Sequence, residues 1–358
     1  MRKICIMLAI GGTLVVAGAS HGQSVLTNVW KVDGEADTFF PASGDTARGM
    51  ALNPFTGNLL IASRSEGAAV RRIDADTGDL LDPDPVLPGD YDQGGLFPVN
   101  KVGVADDGVI YVANLALTAT GDPNFVIYRH ADEATAPTVA YTIDTNDAQA
   151  PFTRLGDGFA VHGSGVDTLI AVGAAGSTDA FLFTTTDGET FTFDSAIDVG
   201  ADSRNIKFDP EGDALWHRVS GGGDTTAYAL DGSGAVSGMV FGPVAITTGA
   251  FDVAYDGNER FHAGVPGNFG SGNSGQEDHF GDIIALSDPD VVAFRTEFGL
   301  EHGADSDGPG SSSDNLNAAG DAVIDLDNGR VYFNYTNNSY SAWEFEITSV
   351  GDWTIYTH

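Results

Sequence analysis

The sequence has a single cysteine and few positive charges. Of its 358 residues only 16 are Lys or Arg, against 51 Asp or Glu, so the formal net charge is −35. Nucleic-acid binding needs clustered cations against phosphates, and this balance excludes it. The lone cysteine, Cys5, lies near the start of the chain. The remainder can therefore form no internal disulfide and no cysteine-ligated metal site.

Helical periodicity and long apolar segments are also absent after the first 23 residues. No stretch repeats apolar residues at the i, i+3, i+4 spacing of an amphipathic helix, and none is long enough to span a bilayer. We therefore expect no membrane insertion. What the chain does contain is short β-branched and aromatic runs separated by turns, with 47 glycines in all. This pattern is typical of an all-β protein.

Residues 1–23 have the pattern of a signal peptide. Arg2 and Lys3 form a cationic start, residues 4–16 form an apolar run too short to span a membrane, and Ala17-Gly18-Ala19 offers a small-residue cleavage site. We therefore expect export, with a secreted or periplasmic destination. Residues 24–358 are predicted to form one domain, and we expect a monomer.

The mature chain repeats one pattern six times. Each repeat has an apolar inner run ending in a polar turn, then a second and a third run closed by further turns; Ala47–Leu81 is the clearest example. The first residues of the six aligned inner runs are Met50, Val102, Phe159, Ile206, Val253 and Ala322.

The repeat spacing predicts a six-bladed β-propeller of four-stranded blades. The first five inner runs lie roughly 45 to 57 residues apart, in the range of propeller blades. A β-sandwich is the alternative, but sandwiches do not show such self-similarity. We expect residues 25–32 to close the ring by joining the blade that contains residues 342–347, because an unpaired edge would invite aggregation. The alternative is a strand added to the first blade.

Three segments carry a resemblance to a known family. They are RGMALNPFTGNLLIASR, VGVADDGVIYVANL with IYRHADEATAPTVAY, and FAVHGSGVDTLIAVGA with FTTTDGETF. Together they resemble a family of secreted bacterial β-propeller-like proteins of unknown function. The resemblance implies the propeller fold and export, and it brings no catalytic residues.

Polar residues stand just before each inner run, where they should cluster at one mouth of the central channel. A functional interpretation is a mixed-charge ring that binds a small polar ligand, a glycan or a protein partner. The alternative is that these side chains pair with each other and with water. The candidates are Arg48, Asn100, Lys101, Asp157, Arg204, Asn205, Asp252 and Asp321.

Calcium is the candidate cofactor, on weak patterns. Asp74 and Asp76 begin an acidic loop that lacks later ligands of a calcium-binding loop, and Asp305 and Asp307 lie in a long acidic insertion. Turn formation and solubility are the alternative explanation for these carboxylates. Histidines at 162, 217 and 262 are interpreted as packing residues rather than metal ligands.

The segment Thr185–Phe191 is similar to the Asp-box turn of sialidase-like propellers, which is a structural turn between outer strands. The leading functional hypothesis is therefore an exported, non-catalytic propeller that binds a ligand or partner at a channel mouth. The alternative is a calcium-dependent hydrolase of the lactonase-like propeller type, by fold analogy alone. Its ligands would be Asn100, Asp157, Asn205 and Asp252.

Overall fold

The chain is an all-β protein in this computed structural model, which describes residues 27–34, 38–41, 46–118, 123–147, 152–219, 225–239, 248–257, 260–266, 282–285, 295–296, 320–336 and 339–344. Within these ranges there are 24 strands and one short 3-10 helix, Gly165–Asp167. No helix among them is long and apolar enough to cross a membrane. The predicted signal peptide and the candidate metal ligands Asp305 and Asp307 lie outside the described residues.

The strands form six small antiparallel sheets in a propeller arrangement. In chain order these are sheet 1, with β2 (Ala47–Asn53), β3 (Asn58–Ser63) and β4 (Ala69–Asp74); sheet 2, with β5 (Phe97–Val104), β6 (Ile110–Leu117), β7 (Asn124–His130), β8 (Thr138–Asp144) and the short β9 (Arg154–Leu155) beside β6; sheet 3, with β10 (Gly158–His162), β11 (Leu169–Gly173), β12 (Asp179–Thr185) and β13 (Phe191–Asp198); sheet 4, with β14 (Ile206–Phe208), β15 (Ala214–Arg218), β16 (Thr225–Ala229) and β17 (Ala235–Met239); sheet 5, with β18 (Thr248–Tyr255), β19 (Arg260–Pro266), β20 (Asp282–Ala285) and β21 (Arg295–Thr296); and sheet 6, with β22 (Asp321–Asp325), β23 (Arg330–Tyr335), β24 (Ser339–Glu344) and β1 (Thr27–Asp33).

Five of these sheets have a complete four-stranded path, whereas sheet 1 has three strands among the described residues. The prediction of six four-stranded blades is therefore wrong on this count: the structure has five. The cause lies in the segment after β4, which contains Pro83 and Pro85. Proline cannot donate a ladder hydrogen bond, so this segment pairs with β4 only through isolated bridges, Arg71 with Val86 and Ile73 with Leu80.

The first strand of each sheet faces a central channel. Each inner strand contacts the inner strand of the next sheet along the chain, and β22 contacts β2, so the ring is closed. The six predicted inner positions all lie on these strands and all are buried: Met50, Val102, Phe159, Ile206, Val253 and Ala322.

The core is divided into six apolar clusters, each between two neighbouring sheets. Alternation along the strands explains this arrangement. On β11, Ile170 and Val172 pack toward sheet 2, whereas Ala171 between them packs toward sheet 4. Because both faces of a central strand are covered, the strands are nearly continuous apolar runs with few polar positions.

The N-terminal strand β1 closes the ring by pairing antiparallel with β24, as the sequence predicts. Trp30 on β1 reaches across to sheet 1, where its indole N–H donates to the carbonyl of Ala75 at 2.9 Å. Its ring also lies against Tyr332 and Tyr340 of sheet 6. The alternative placement of this strand on the first blade is wrong.

Candidate functional site

Two lysines and two aspartates meet at the centre of the channel. The Lys207 ammonium lies 3.2 Å from Oδ1 of Asp321 and 3.9 Å from Oδ1 of Asp252. The Lys101 ammonium lies 3.5 Å from Oδ2 of Asp321. These four residues come from β5, β14, β18 and β22, so four different sheets contribute one charge each. We call them the channel charge cluster.

Backbone atoms complete the surroundings of Lys101. Its ammonium donates to the carbonyl oxygens of Arg48 at 3.1 Å and Gly320 at 2.9 Å. The inner strands approach closely here, because a Cβ on Gly49 would lie 2.6 Å from the Cα of Lys101. Only glycine permits that separation, so β2 and β5 can bring the carbonyl of Arg48 to the lysine.

Burial and pairing set the protonation of the cluster. Burial lowers the pKa of Lys101, against the opposing effect of Asp321. Burial also acts to lower the pKa of Lys207, but the carboxylates of Asp321 and Asp252 outweigh it and the pKa is raised. Burial raises the pKa of Asp252, opposed by the ammonium of Lys207.

A cavity of about 540 Å³ begins at this cluster and extends to the ends of the inner strands. Most of the residues that line it are apolar, but polar atoms make up about half of the exposed lining, and its rim is formed by the turns that follow the inner strands. Wall residues include Met50, Val104, Phe159, Phe208, Val253 and Val323, and acidic rim residues include Asp106, Asp325 and Asp327. We call this space the channel cavity.

Only one half of the charge cluster faces the cavity. Lys207 and Asp252 line it, and each side chain keeps 19% of its surface exposed. Lys101 and Asp321 do not line it, and their side chains keep only 8% and 5% of their surface exposed. The polar floor of the cavity is therefore the Lys207 and Asp252 pair, with the second pair behind it.

Lys207 was missed as a site residue by sequence reasoning, which considered only residues standing before each inner run. It lies within the run Ile206-Lys207-Phe208, on a strand. A signal was available, because the chain has four lysines and this one interrupts an apolar run. A lysine there is explained by a channel that contains carboxylates.

Several predicted site residues pair with their neighbours instead. Asp157 accepts two hydrogen bonds from Arg154, at 2.5 and 2.6 Å, and a third from the Ala175 N–H at 2.8 Å. Arg204 makes a two-pronged pair with Asp202, at 2.9 and 2.5 Å. Both pairs have the bidentate geometry of strong arginine–carboxylate contacts.

The remaining predicted residues are buried between strands. Arg48 lies 5.0 Å from the ring centroid of Phe97. The side-chain amides of Asn100 and Asn205 donate to backbone carbonyls, of Gly156 at 2.6 Å and of Arg218 at 3.3 Å. Asn100 Oδ1 is buried and has no hydrogen-bond partner among the residues that the structure describes. The predicted ring thus divides into the channel charge cluster, two peripheral ion pairs and buried inter-strand contacts.

The candidate donors in the described part of the chain do not fit a calcium ion. Among the described residues, no group of three or more His, Cys, Asp or Glu side chains is arranged to hold a metal. Asp74 accepts from the N–H groups of Asp76 and Thr77 in its own turn, and Asp76 pairs with Arg330. In the channel, ammonium groups neutralise the carboxylates that calcium would need.

The histidines at 217 and 262 have packing contacts, in agreement with their interpretation. Nε2 of His217 lies 2.8 Å from the carbonyl oxygen of Asp202, and the His262 ring stacks on Phe251 with centroids 5.2 Å apart. His162 lies at the cavity rim, against Gly212.

The Asp-box-like segment is a turn between the outer strands β12 and β13, as expected. Oδ1 of Asp187 accepts from the N–H groups of Glu189 and Thr190, both at 2.8 Å. These bonds, with that from the Thr190 hydroxyl, lower the pKa of Asp187. The turn also joins two sheets, because the Gly188 carbonyl accepts from Arg129 at 3.0 Å.

Comparisons with known proteins support the fold alone. No family model matches the chain, and no curated protein matches it in sequence. Among solved structures, it is similar to a DUF4623 family protein from Bacteroides eggerthii, with a TM-score of 0.57 and 13% identity over 90% of this chain and 77% of that one. It is also similar to a gluconolactonase from Xanthomonas campestris, with a TM-score of 0.51 and 12% identity over 90% of this chain and 100% of that one. The chain therefore shares a propeller-like arrangement with a bacterial protein of the DUF4623 family and, distantly, with a gluconolactonase.

Proposed function

We propose that this protein is an exported propeller that binds a small molecule in the channel cavity. One observation carries the proposal: a cavity of about 540 Å³ that is lined mostly by apolar residues and has the Lys207 and Asp252 pair at its floor. Ligand sites are typically concave, mostly apolar and supplied with a few convergent polar groups, in volumes of roughly 300 to 1,000 Å³. Export is supported by the signal-like pattern of residues 1–23.

Binding is favoured over catalysis by the chemistry of the lining. None of the described residues that line the cavity is a serine, threonine or cysteine, and Asp321 and Asp252 hold Lys207 at the floor as a cation. A nucleophile beside a general base is the usual arrangement for covalent hydrolysis. The gluconolactonase likeness, at 12% identity, bears on the fold and lends no residue to this cavity.

A cavity-filling substitution tests the proposal. Val323 lines the cavity and is partly exposed within it, so Val323→Phe should fill part of the space. Val236, on the outer strand β17, is 60% exposed, and Val236→Phe is the matched control. A library of small molecules with apolar bodies would be screened by thermal shift against all three proteins.

We expect compounds that raise the melting temperature of the wild type and of Val236→Phe, and that lose this effect on Val323→Phe. If no compound stabilises the wild type, or if Val323→Phe responds as strongly as the wild type, cavity binding is wrong. The unliganded melting temperature of Val323→Phe, measured alongside, shows whether the variant is folded.

A further inference from the structure

The floor of the channel cavity has a specific geometry. Lys207 and Asp252 both line the cavity, and the Lys207 ammonium lies 3.9 Å from Oδ1 of Asp252. That separation is too long for a direct hydrogen bond. A ligand hydroxyl oxygen placed to one side could lie about 2.8 Å from both atoms, accepting a hydrogen bond from the ammonium and donating one to the carboxylate.

The four charges of the channel charge cluster balance, and Arg48 is a further cation close to Lys101. Lys207 and Lys101 face Asp252 and Asp321, so the channel charge cluster carries two positive and two negative groups. A charged ligand group would add an uncompensated charge at a mostly buried position, which is costly. A carboxylate head would also have to pass the acidic rim residues Asp106, Asp325 and Asp327 to reach the floor.

We propose that the channel cavity selects an uncharged hydroxyl-bearing molecule, whose hydroxyl bridges Lys207 and Asp252 while its hydrocarbon body lies against the apolar walls. This inference rests on the proposed function and adds the chemical class of the ligand. A hydroxyl meets both requirements, because the same oxygen accepts and donates. A carboxylate cannot donate to Asp252, and an ammonium cannot accept from Lys207.

Four naphthalene probes with one body and different head groups test the choice. They are 2-naphthalenemethanol, 2-naphthoate, (2-naphthyl)methylammonium and 2-methylnaphthalene, measured by calorimetric or fluorescence titration at neutral pH. We expect the alcohol to bind wild-type protein at least ten-fold more tightly than each charged probe, and more tightly than the headless hydrocarbon. Val323→Phe should weaken alcohol binding, whereas Val236→Phe should not.

Two substitutions move the charge balance in opposite directions. Asp252→Asn leaves one more positive than negative group, so the preference should shift toward 2-naphthoate. Lys207→Gln leaves one more negative group, so the preference should shift toward the ammonium probe. The two variants are scored separately, so if one of them does not fold, the other still tests the charge balance. The order of probe affinities for wild-type protein is a further test that needs neither variant.

The outcomes separate the two proposals. Cavity binding of the probes, blocked by Val323→Phe, with a charged probe tightest or all four equal, would overturn the hydroxyl assignment and leave the proposed function intact. No binding of any probe to wild-type protein would count against both. The assignment is supported if the alcohol binds most tightly to the wild type and if Asp252→Asn or Lys207→Gln changes the preference in the stated direction.

Discussion

Nε of Arg72 on β4 lies 2.8 Å from Oε2 of Glu133, which stands in the loop between β7 and β8. The same carboxylate accepts from the side-chain amides of Asn53 at 2.9 Å and Asn58 at 2.8 Å. Glu133 is 6% exposed and lies in a loop of sheet 2, whereas Arg72, Asn53 and Asn58 lie on strands of sheet 1. Thr56, in the turn between β2 and β3, also donates its hydroxyl to this carboxylate. One buried carboxylate thus joins the sheet that lacks a fourth strand to its neighbour.

Removing this carboxylate should destabilise the protein. Glu133→Ala leaves Arg72 and two amide groups without their acceptor, at a cost of about 3 kcal/mol in the free energy of unfolding. Glu133→Gln keeps one acceptor oxygen and should cost less. Chemical denaturation measures both, with exposed Glu189→Ala as a control expected within about 0.5 kcal/mol of the wild type. A Glu133→Ala variant as stable as the control would show that the contact is not important.

Ring closure through Trp30 should be a major source of stability. Trp30→Ala removes a ring that packs between sheets 6 and 1, and it should cost about 3 to 5 kcal/mol. Trp30→Phe keeps an aromatic ring and loses the hydrogen bond to Ala75, at a cost of about 1 kcal/mol beyond any packing change. Phe55→Ala, at a 68% exposed aromatic, is the control. Equal stability of Trp30→Ala and Phe55→Ala would contradict closure by β1.

Acid should weaken the fold through buried histidines. Nδ1 of His130 lies 2.9 Å from the Thr135 carbonyl, which can only accept, so Nδ1 carries the proton and Nε2 accepts from the Tyr91 hydroxyl at 2.8 Å. Burial lowers the pKa of His130 below 6.5, despite the opposing effects of the Thr135 bond and Asp132, and burial lowers the pKa of His217 as well.

The unfolded chain therefore takes up a proton near pH 6.5 that the folded chain resists, and stability falls as the pH drops through and below that value. His130→Gln should be less stable at pH 7.5 but lose less stability between pH 7.5 and 5.5 than the wild type. Urea denaturation at the two pH values measures this difference. An unchanged loss between them would show that His130 does not contribute to acid sensitivity.

NaCl should stabilise the protein against unfolding. Calcium should have no further stabilising effect through binding in the turn at Asp74. At a net charge of −35 the negative side chains repel one another. Raising NaCl from 0.01 to 1 M weakens this repulsion, because the screening length shortens from roughly 30 to 3 Å. We expect the melting temperature to rise with NaCl, and CaCl₂ at matched ionic strength to act equally. Stabilisation by micromolar calcium, lost in Asp74→Asn, would contradict the assignment of that carboxylate to the turn.

Local patterns in the sequence were sufficient for much of the fold. The alternation and turns of the repeats predicted the all-β class, the inner strands, the pairing of β1 with the last sheet and the structural turn at Asp187. Each of these depends on short-range chemistry: side-chain period, proline and glycine at turns, and apolar runs covered on both faces. The missing strand of sheet 1 depends on prolines that are visible in the sequence, although their effect on the blade count was overlooked.

The channel depended on tertiary structure. Asp157 and Asp252 occupy similar places before their inner runs, yet one pairs with Arg154 and the other faces Lys207 across the channel. Which charges meet depends on the close approach of inner strands that are as much as 220 residues apart in sequence, as Lys101 and Asp321 are. The sequence by itself thus determined a ring of strands with scarce cations at its centre. Only packing around the closed ring decided that the lysines form ion pairs with aspartates, at the floor of a cavity lined mostly by apolar residues.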